Sequence, residues 1–580
     1  MDEREILTRF KAGTLDRAQA TRLLAGATAR TPATAPPSDE PATPTAVPPA
    51  DSPPATDGRY AVVGLAGRYP LAPDPHAFWE NLCTGRDTSR AAPRTRPGGP
   101  VLAPGQRGHF LDGVAEFDAE FFGLTPREGA LLDPQERLLL ETSWEALEDA
   151  GCTGARLDTL TGPGGTPRAV GVFVGVSSAD YALLAAEDWA RGRREMPRSG
   201  HAGLPGRLAA LLGLSGPGQA VDTGACSALT AVHLAVQSLA RGECAAAVAG
   251  GVELLLHASR AGDGAGEGVG AVVLKRLDRA LRDGDRVHAV VRDTWSGFRR
   301  TAPPLHGPAG DLTRGAGGFR LRETRDTLVR RIGDAGAALG MAGLTAAALQ
   351  AGHGVVAPAR EGEEPVPWRR ARDDQGREVP RGATVEVDDG QGLAAGAVVE
   401  EFAHEPAVPP AGADGDDQLV LLSAPTRDHL VADAARLADW LRARGEDPGG
   451  AVLAGVARHL RAGRAALPCR IAVLAADVPE LADALGRFAE SGITSGRLRH
   501  ADLRDGVDPL GLGAVPETRD YLAALWRSGR IEQLVRLWLS GVDTDWAALE
   551  GPAPTRGAVP PPSAFLRRTL WLDPVGERAG

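Results

Sequence analysis

The stretch Val221-Asp222-Thr223-Gly224-Ala225-Cys226-Ser227-Ala228-Leu229, running on into Thr230-Ala231-Val232-His233-Leu234-Ala235, decides how this chain is read. An apolar approach, a Thr-Gly turn and small residues that open a 3.6-residue periodicity describe a strand, a tight turn and a helix. Such an elbow lifts a side chain to a helix N-terminus, where free N–H groups and the positive dipole end stabilise a thiolate. Cys226 therefore reads either as a nucleophile or as a small buried thiol where strand meets helix.

The flanks point to the first setting. With Gly250-Gly251-Val252-Glu253-Leu254-Leu255-Leu256 downstream and Asp133-Pro134-Gln135-Glu136-Arg137-Leu138-Leu139-Leu140-Glu141 upstream, the chain resembles the ketosynthase (beta-ketoacyl synthase) of modular polyketide synthases, of the kind whose assembly lines lack built-in acyltransferases. The resemblance implies an α/β chain with a thiolase-like layered αβαβα fold, a small α/β linker domain and Cys-His-His chemistry. The family elbow reads Val-Asp-Thr-Ala-Cys-Ser-Ser-Ser-Leu. Aligning Asp222-Thr223 and Leu229 without a gap puts Ala225 at the position of the family cysteine and Cys226 one residue late. One residue on a helix is about 100° of rotation, so Cys226 does not simply replace the missing thiol.

At 580 residues the chain predicts several domains. Its 43% hydrophobic and 24% charged residues are those of an ordinary core-forming protein. A net charge of -11 argues against a nucleic-acid surface. Five scattered cysteines without a CxxC pair make neither a disulfide framework nor a metal site. No apolar run reaches the roughly 20 residues of a membrane span, and the acidic N-terminus does not read as a signal peptide. The expectation is a cytoplasmic protein that binds no membrane.

Residues 1–26 hold two short amphipathic helices split by Gly13, and the resemblance makes them a docking element. Residues 27–58 are dominated by Pro, Ala, Thr and Ser, the composition of a disordered tether. The ketosynthase-like domain is placed at 59–402, opening with the buried-type strand from Tyr60 to Arg68. The resemblance continues through Phe117-Asp118-Ala119-Glu120-Phe121-Phe122-Gly123 and Trp144-Glu145-Ala146-Leu147-Glu148 to Val170-Gly171-Val172-Phe173-Val174-Gly175. In the family this half makes a dimer interface and half of an acyl tunnel. After His257 the long loop that walls the family's tunnel is missing, and the chain goes almost directly to Gly264-Ala265-Gly266-Glu267.

A ketosynthase needs two histidines, because decarboxylating a malonyl thioester develops an enolate oxyanion that imidazoles stabilise or protonate. The best counterpart of the first histidine loop is Gly315-Ala316-Gly317-Gly318-Phe319-Arg320-Leu321, which has no imidazole. At the second histidine stands Asp334, in Val329-Arg330-Arg331-Ile332-Gly333-Asp334. His306 reads as a surface-loop residue. A carboxylate cannot donate to an enolate oxyanion, so loss of condensation is expected.

Strand and helix patterns at 417–495 predict a small α/β unit, which the resemblance makes the family's linker domain, and the resemblance implies that 496–580, helical and extended, packs back on the ketosynthase-like domain. Nothing encodes an acyltransferase elbow, a carrier serine or a reductase fingerprint. The chain is thus expected to carry no cofactor of its own, and to meet acyl chains on the phosphopantetheine of a separate acyl carrier protein, among polyketide synthase modules. Two functions stay open. In one, a non-elongating homologue binds carrier-borne acyl chains as a homodimer, or as a heterodimer with an active ketosynthase. In the other, Cys226 serves as the nucleophile of an acyltransferase or cyclase. Departure of the cysteine and both histidines together favours the first.

Overall fold

The computed structural model describes residues 58–572 apart from 94–95, 97–101, 193–194, 198–199, 261, 299–312, 316–317, 404–416, 445–449, 493, 495–496, 505–511, 513–514, 516 and 551–557. The docking element at 1–26, the tether up to residue 57 and His306 lie outside the described residues.

Ten strands form one sheet made of two five-stranded halves. The first half contains β1 (Tyr60–Arg68), β2 (Val170–Gly175), β3 (Gly218–Val221), β4 (Ala246–Glu253) and β5 (Gly268–Arg276). The second contains β6 (Ala289–Phe298), β7 (Thr313–Gly315), β8 (Gly318–Thr324), β9 (Gly382–Asp388) and β10 (Leu393–Glu400). The order is β3-β2-β4-β5-β1-β6-β10-β9-β8-β7, and Tyr60, Ala61 and Val62 join the halves by pairing with Val291, Val290 and Ala289. Strands such as β1 and β4 are continuous apolar runs because both faces are covered. On one side of the first half lies helix α1 (Pro134–Asp149). On the other lie α2 (Ser227–Ala240) and α3 (Leu339–His353), which touch both halves of the sheet.

Helices α2 and α3 are apolar almost all round, the pattern of helices buried inside a protein. Their layer between two half-sheets is the layered α/β fold expected. The halves are not equivalent at their outer edges. In the first, β3 runs parallel to β2 and leads into α2. In the second, β7 is antiparallel to β8, and α3 is entered from the short helix Arg325–Ile332 instead of from an edge strand. The glycine-rich hairpin read as a histidine-loop counterpart joins the two outermost strands of that half.

The small domain is an antiparallel sheet of β11 (Gln418–Ala424), β12 (Cys469–Ala475) and β13 (Leu498–Asp502), with helices Arg427–Arg444 and Val478–Ser491 packed on it. Buried His429 Nε2 meets Asp118 Oδ2 at 2.7 Å across the junction with the first domain. The C-terminal segment crosses that junction. Ser563 donates its N–H and hydroxyl to Glu148 at 2.7 and 2.6 Å, Ala564 N donates to Asp433 Oδ1 at 2.6 Å, and Trp571 packs edge-on to Tyr181.

Burial pushes the Asp433 carboxyl up to about 7, with the neighbouring Glu148 carboxylate adding to the rise. A carboxyl raised in the folded state favours the protonated form, so its stabilisation is present at acid pH and is lost as pH rises towards 7. The unfolding temperature of the full chain should fall across pH 4 to 7.5 by more than that of Asp433→Asn. The variant keeps an acceptor for Ala564 and should be at least as stable as the natural chain at pH 8. Parallel melting profiles of the two proteins would contradict this assignment.

Candidate active site at the elbow

The elbow is built from short polar contacts around one left-handed glycine. Gly224 has φ +58°, which favours glycine. Ser227 Oγ donates to Gly224 O at 2.7 Å and accepts from Thr223 N at 2.9 Å, closing the turn. Residues Gly224–Cys226 form a 3-10 turn that continues directly into α2. Packed against it is a second 3-10 turn, Gly336–Ala338, which opens α3. The end of β4 is wedged at this meeting point, where a Cβ on Gly251 would stand 2.7 Å from Ala228 Cβ and 3.0 Å from Ala337 O.

Cys226 points into the protein. Its side chain is fully buried, and Sγ lies 3.3 Å from Val387 O and 3.7 Å from Leu393 O, where its S–H donates to the ends of β9 and β10. Burial pushes the thiol up to about 11, with the Asp389 and Asp388 carboxylates adding to the rise. The thiol is raised although Cys226 stands at the start of α2, with its sulfur beside carbonyl oxygens. Ala225 is half-buried beside it.

Asp334 follows Gly333, whose φ of +74° turns the chain out of helix Arg325–Ile332. The Asp334 backbone is clamped between Gly264 O at 2.9 Å and Gly266 N at 3.0 Å. Its carboxylate is half exposed and pairs with Arg325 at 2.8 Å. Arg325 also donates to Asp388 O at 3.2 Å. One guanidinium thus ties Asp334 to the strand end that covers Cys226.

Arg325 was not singled out in the sequence. The signal was present: Thr324 and Thr327 form a reciprocal cap, which places Arg325 in the first turn of its helix. A cation there opposes the helix dipole, and such a local conflict marks a residue held by something else. A second missed residue is His109, a buried imidazole whose Nδ1 lies 2.8 Å from Thr88 Oγ1. Thr88 donates its hydroxyl proton to Arg331 O at 2.9 Å, so Nδ1 is the donor to Thr88. A Cβ on Gly333 would stand 2.6 Å from His109 Cδ2.

The segment after His257 is held to the end of β4 by one arginine. Arg260 pairs with Glu253 at 2.6 Å and Asp180 at 3.2 Å. Glu253, almost fully buried, also accepts from Ser177 Oγ at 2.9 Å and from Ala337 N at the mouth of α3 at 3.1 Å. Among the described residues no group of His, Cys, Asp and Glu is arranged to hold a metal ion. No helix among them is long and apolar enough to cross a membrane.

Comparison with known proteins decides the family. Residues 58–263 match the model of the beta-ketoacyl synthase N-terminal domain, and 421–492 match that of the RhiE-like KS-MAT linker domain. The chain carries a ketosynthase-like domain of the kind found in polyketide synthases. It is 30% identical to polyketide synthase PksM of Bacillus subtilis (strain 168) over 88% of its length and 14% of that protein. It is 32% identical to polyketide synthase ThaQ of Burkholderia thailandensis over 88% of its length and 28% of that protein. The chain thus spans only a small part of these curated relatives. Among solved structures it is similar to the oxazolomycin ketosynthase domain OzmH KS7 of Streptomyces albus JA3453, with 28% identity, a TM-score of 0.69, and coverage of 89% of this chain and 98% of that one. The ketosynthase from module 6 of the bacillaene synthase of Bacillus subtilis 168 shares the fold, with a TM-score of 0.70 at 24% identity over 89% of this chain and all of that one.

The buried placement of the Cys226 thiol sets a chemical expectation. In the intact protein Cys226 should react with iodoacetamide at pH 7.5 at least tenfold more slowly than the partly exposed Cys83. Cys226→Ala should lower stability by about 1 kcal/mol or less. Preferential labelling of Cys226 would show a thiol far more accessible than this geometry allows.

Proposed function

We propose that this ketosynthase-family chain binds acyl groups delivered on the phosphopantetheine arm of a separate acyl carrier protein, and that it does not perform decarboxylative elongation. The observation that carries this reading is the inward Cys226 sulfur, held at the Val387 and Leu393 carbonyls with a raised pKa. The Arg325–Asp334 ion pair adds to it. Losing one oxyanion donor costs on the order of 10² to 10³ in rate. The motif reading supports it too: Ala225 stands at the family cysteine, Asp334 at the second histidine, and the counterpart of the first histidine loop has no imidazole, while a carboxylate opposes the charge that forms on an enolate.

The proposed partners are a carrier protein, polyketide synthase modules, and a second ketosynthase-like subunit, either a copy of this chain or an active relative. Edge strand β3 supports the last of these, since Gly218 and Gln219 are exposed, and Leu211 on the adjoining helix Gly203–Leu212 is exposed as well. An open edge with apolar surface beside it is a template for pairing with another chain.

Malonyl-loaded carrier protein gives the test. Carbon dioxide release in the presence of the full chain should match the background without it, and Asp334→Ala should leave that rate unchanged. The chain should nonetheless bind acyl-carrier protein, with a Kd changed less than twofold by Cys226→Ala. Release above background that is abolished by Asp334→Ala would establish the carboxylate as catalytic and overturn the reading.

A further inference from the structure

A cleft of about 260 Å³ opens between helix Pro75–Thr84, the C-terminal end of helix Arg325–Ile332 and residues Pro358 to Glu361. It is separate from the Cys226 end of the fold, and none of the elbow residues lines it. Its existence depends on one close approach. Gly85 ends its helix at φ +59°, and a Cβ there would run into the Arg360 carbonyl. That contact draws the 358–361 segment across the helix end and leaves a recess beside it.

The recess has two chemically distinct parts. Its floor is apolar, formed by Phe78, Leu82 and Ile332, which are 3%, 3% and 1% exposed. Its rim carries Arg86, Arg330 and Arg360, all exposed. Among the described residues none of these three guanidiniums forms an ion pair. Arg86 has only a long contact of 3.4 Å to Asn81 Oδ1. The fourth arginine at the cleft, Arg331, is spent on buried Glu323 at 2.8 Å. The carboxylates present are Glu361, which is exposed, and Asp87, whose oxygens already accept from Ser89 N and Oγ at 2.8 and 3.0 Å. Three free guanidiniums over a closed apolar floor match an amphipathic anion: the head takes charge-assisted, bidentate hydrogen bonds and the body fills the floor.

We propose that this cleft binds a small phosphate monoester with an apolar body, such as a short alkyl phosphate. The wall it would press on, Arg330 to Ile332, runs directly into Gly333 and Asp334, and the Arg331 carbonyl in that wall is held by Thr88, the partner of His109. Occupancy of the cleft therefore bears on the segment that carries Asp334. The proposal does not depend on the functional reading above, because it uses no residue of the elbow.

Calorimetric titration of the full chain tests it with four probes: n-hexyl phosphate, hexanoate, inorganic phosphate and hexanol. Hexyl phosphate should bind at one site, at least tenfold tighter than inorganic phosphate and hexanol. It should also bind tighter than hexanoate, which shares the body but offers fewer acceptors. The double variant Arg330→Ala/Arg360→Ala should weaken it at least tenfold, and Ala359→Trp, which fills the cleft from its exposed edge, should abolish binding. Both variants change exposed positions and should melt within a few degrees of the natural chain; if either does not, Arg86→Ala takes its place, with at least a threefold loss expected. No binding of hexyl phosphate overturns the proposal, as does an affinity unchanged within twofold in the variants. Hexanoate binding as tightly as hexyl phosphate would reject the phosphate assignment, and inorganic phosphate binding equally well would reject the role of the floor.

Discussion

The structure depends on how closely two buried helices approach each other and the strands around them. Three close approaches, of α3 to α2, of α3 to β9 and of β2 to α2, are made at glycines. A Cβ on Gly340 would stand 2.6 Å from Leu229 Cγ, one on Gly343 would stand 2.6 Å from Val385 Cγ1, and one on Gly175 would collide with the backbone of Ala228. Interiors packed this densely yield little to an added methyl group. The elbow therefore has no freedom to rotate. With Ala228 and Leu229 pinned, Cys226 is directed towards β9 and β10, and its sulfur meets Val387 and Leu393 carbonyls.

Although a helix N-terminus is ordinarily a device for lowering a thiol pKa, the Cys226 thiol is raised here. Desolvation dominates once the sulfur is buried, and the carboxylates of Asp388 and Asp389 reinforce it. Around this closed thiol the charges pair with one another. Arg325 with Asp334 is a half-exposed pair, of a kind worth about 1 kcal/mol or less. The buried Glu253 under the mouth of α3 is a different case: removing its partner Arg260 leaves a carboxylate uncompensated at a fold junction. The short loop after His257 is thus held by the same carboxylate that receives the N–H of Ala337.

Much of the frame was legible because it rests on patterns that survive divergence. Apolar runs fix β1, β2, β4 and β5, and the Thr223-Gly224 turn fixes the start of α2 within a residue or two. Asp334 lies just before the 3-10 turn Gly336–Ala338 that opens α3. What the sequence concealed is tertiary. Arg325 looks like one more charge on a polar helix, and only the return of β9 brings Asp388 to it. His109 sits in an irregular segment without periodicity, more than 200 residues from the Gly333 it packs against. The antiparallel edge strand β7 could not be foreseen either, since a three-residue strand leaves almost no pattern to read.

Whether the Cys226 thiol takes an acyl group is read most directly by intact-protein mass spectrometry after incubation with an acyl-carrier thioester. The buried, carbonyl-bound sulfur predicts no mass increment on the natural chain above that on Cys226→Ala, under conditions in which the carrier protein is bound. A stoichiometric acyl adduct that maps to Cys226 and vanishes in Cys226→Ala would contradict the closed thiol and favour acyl transfer or cyclisation on this cysteine.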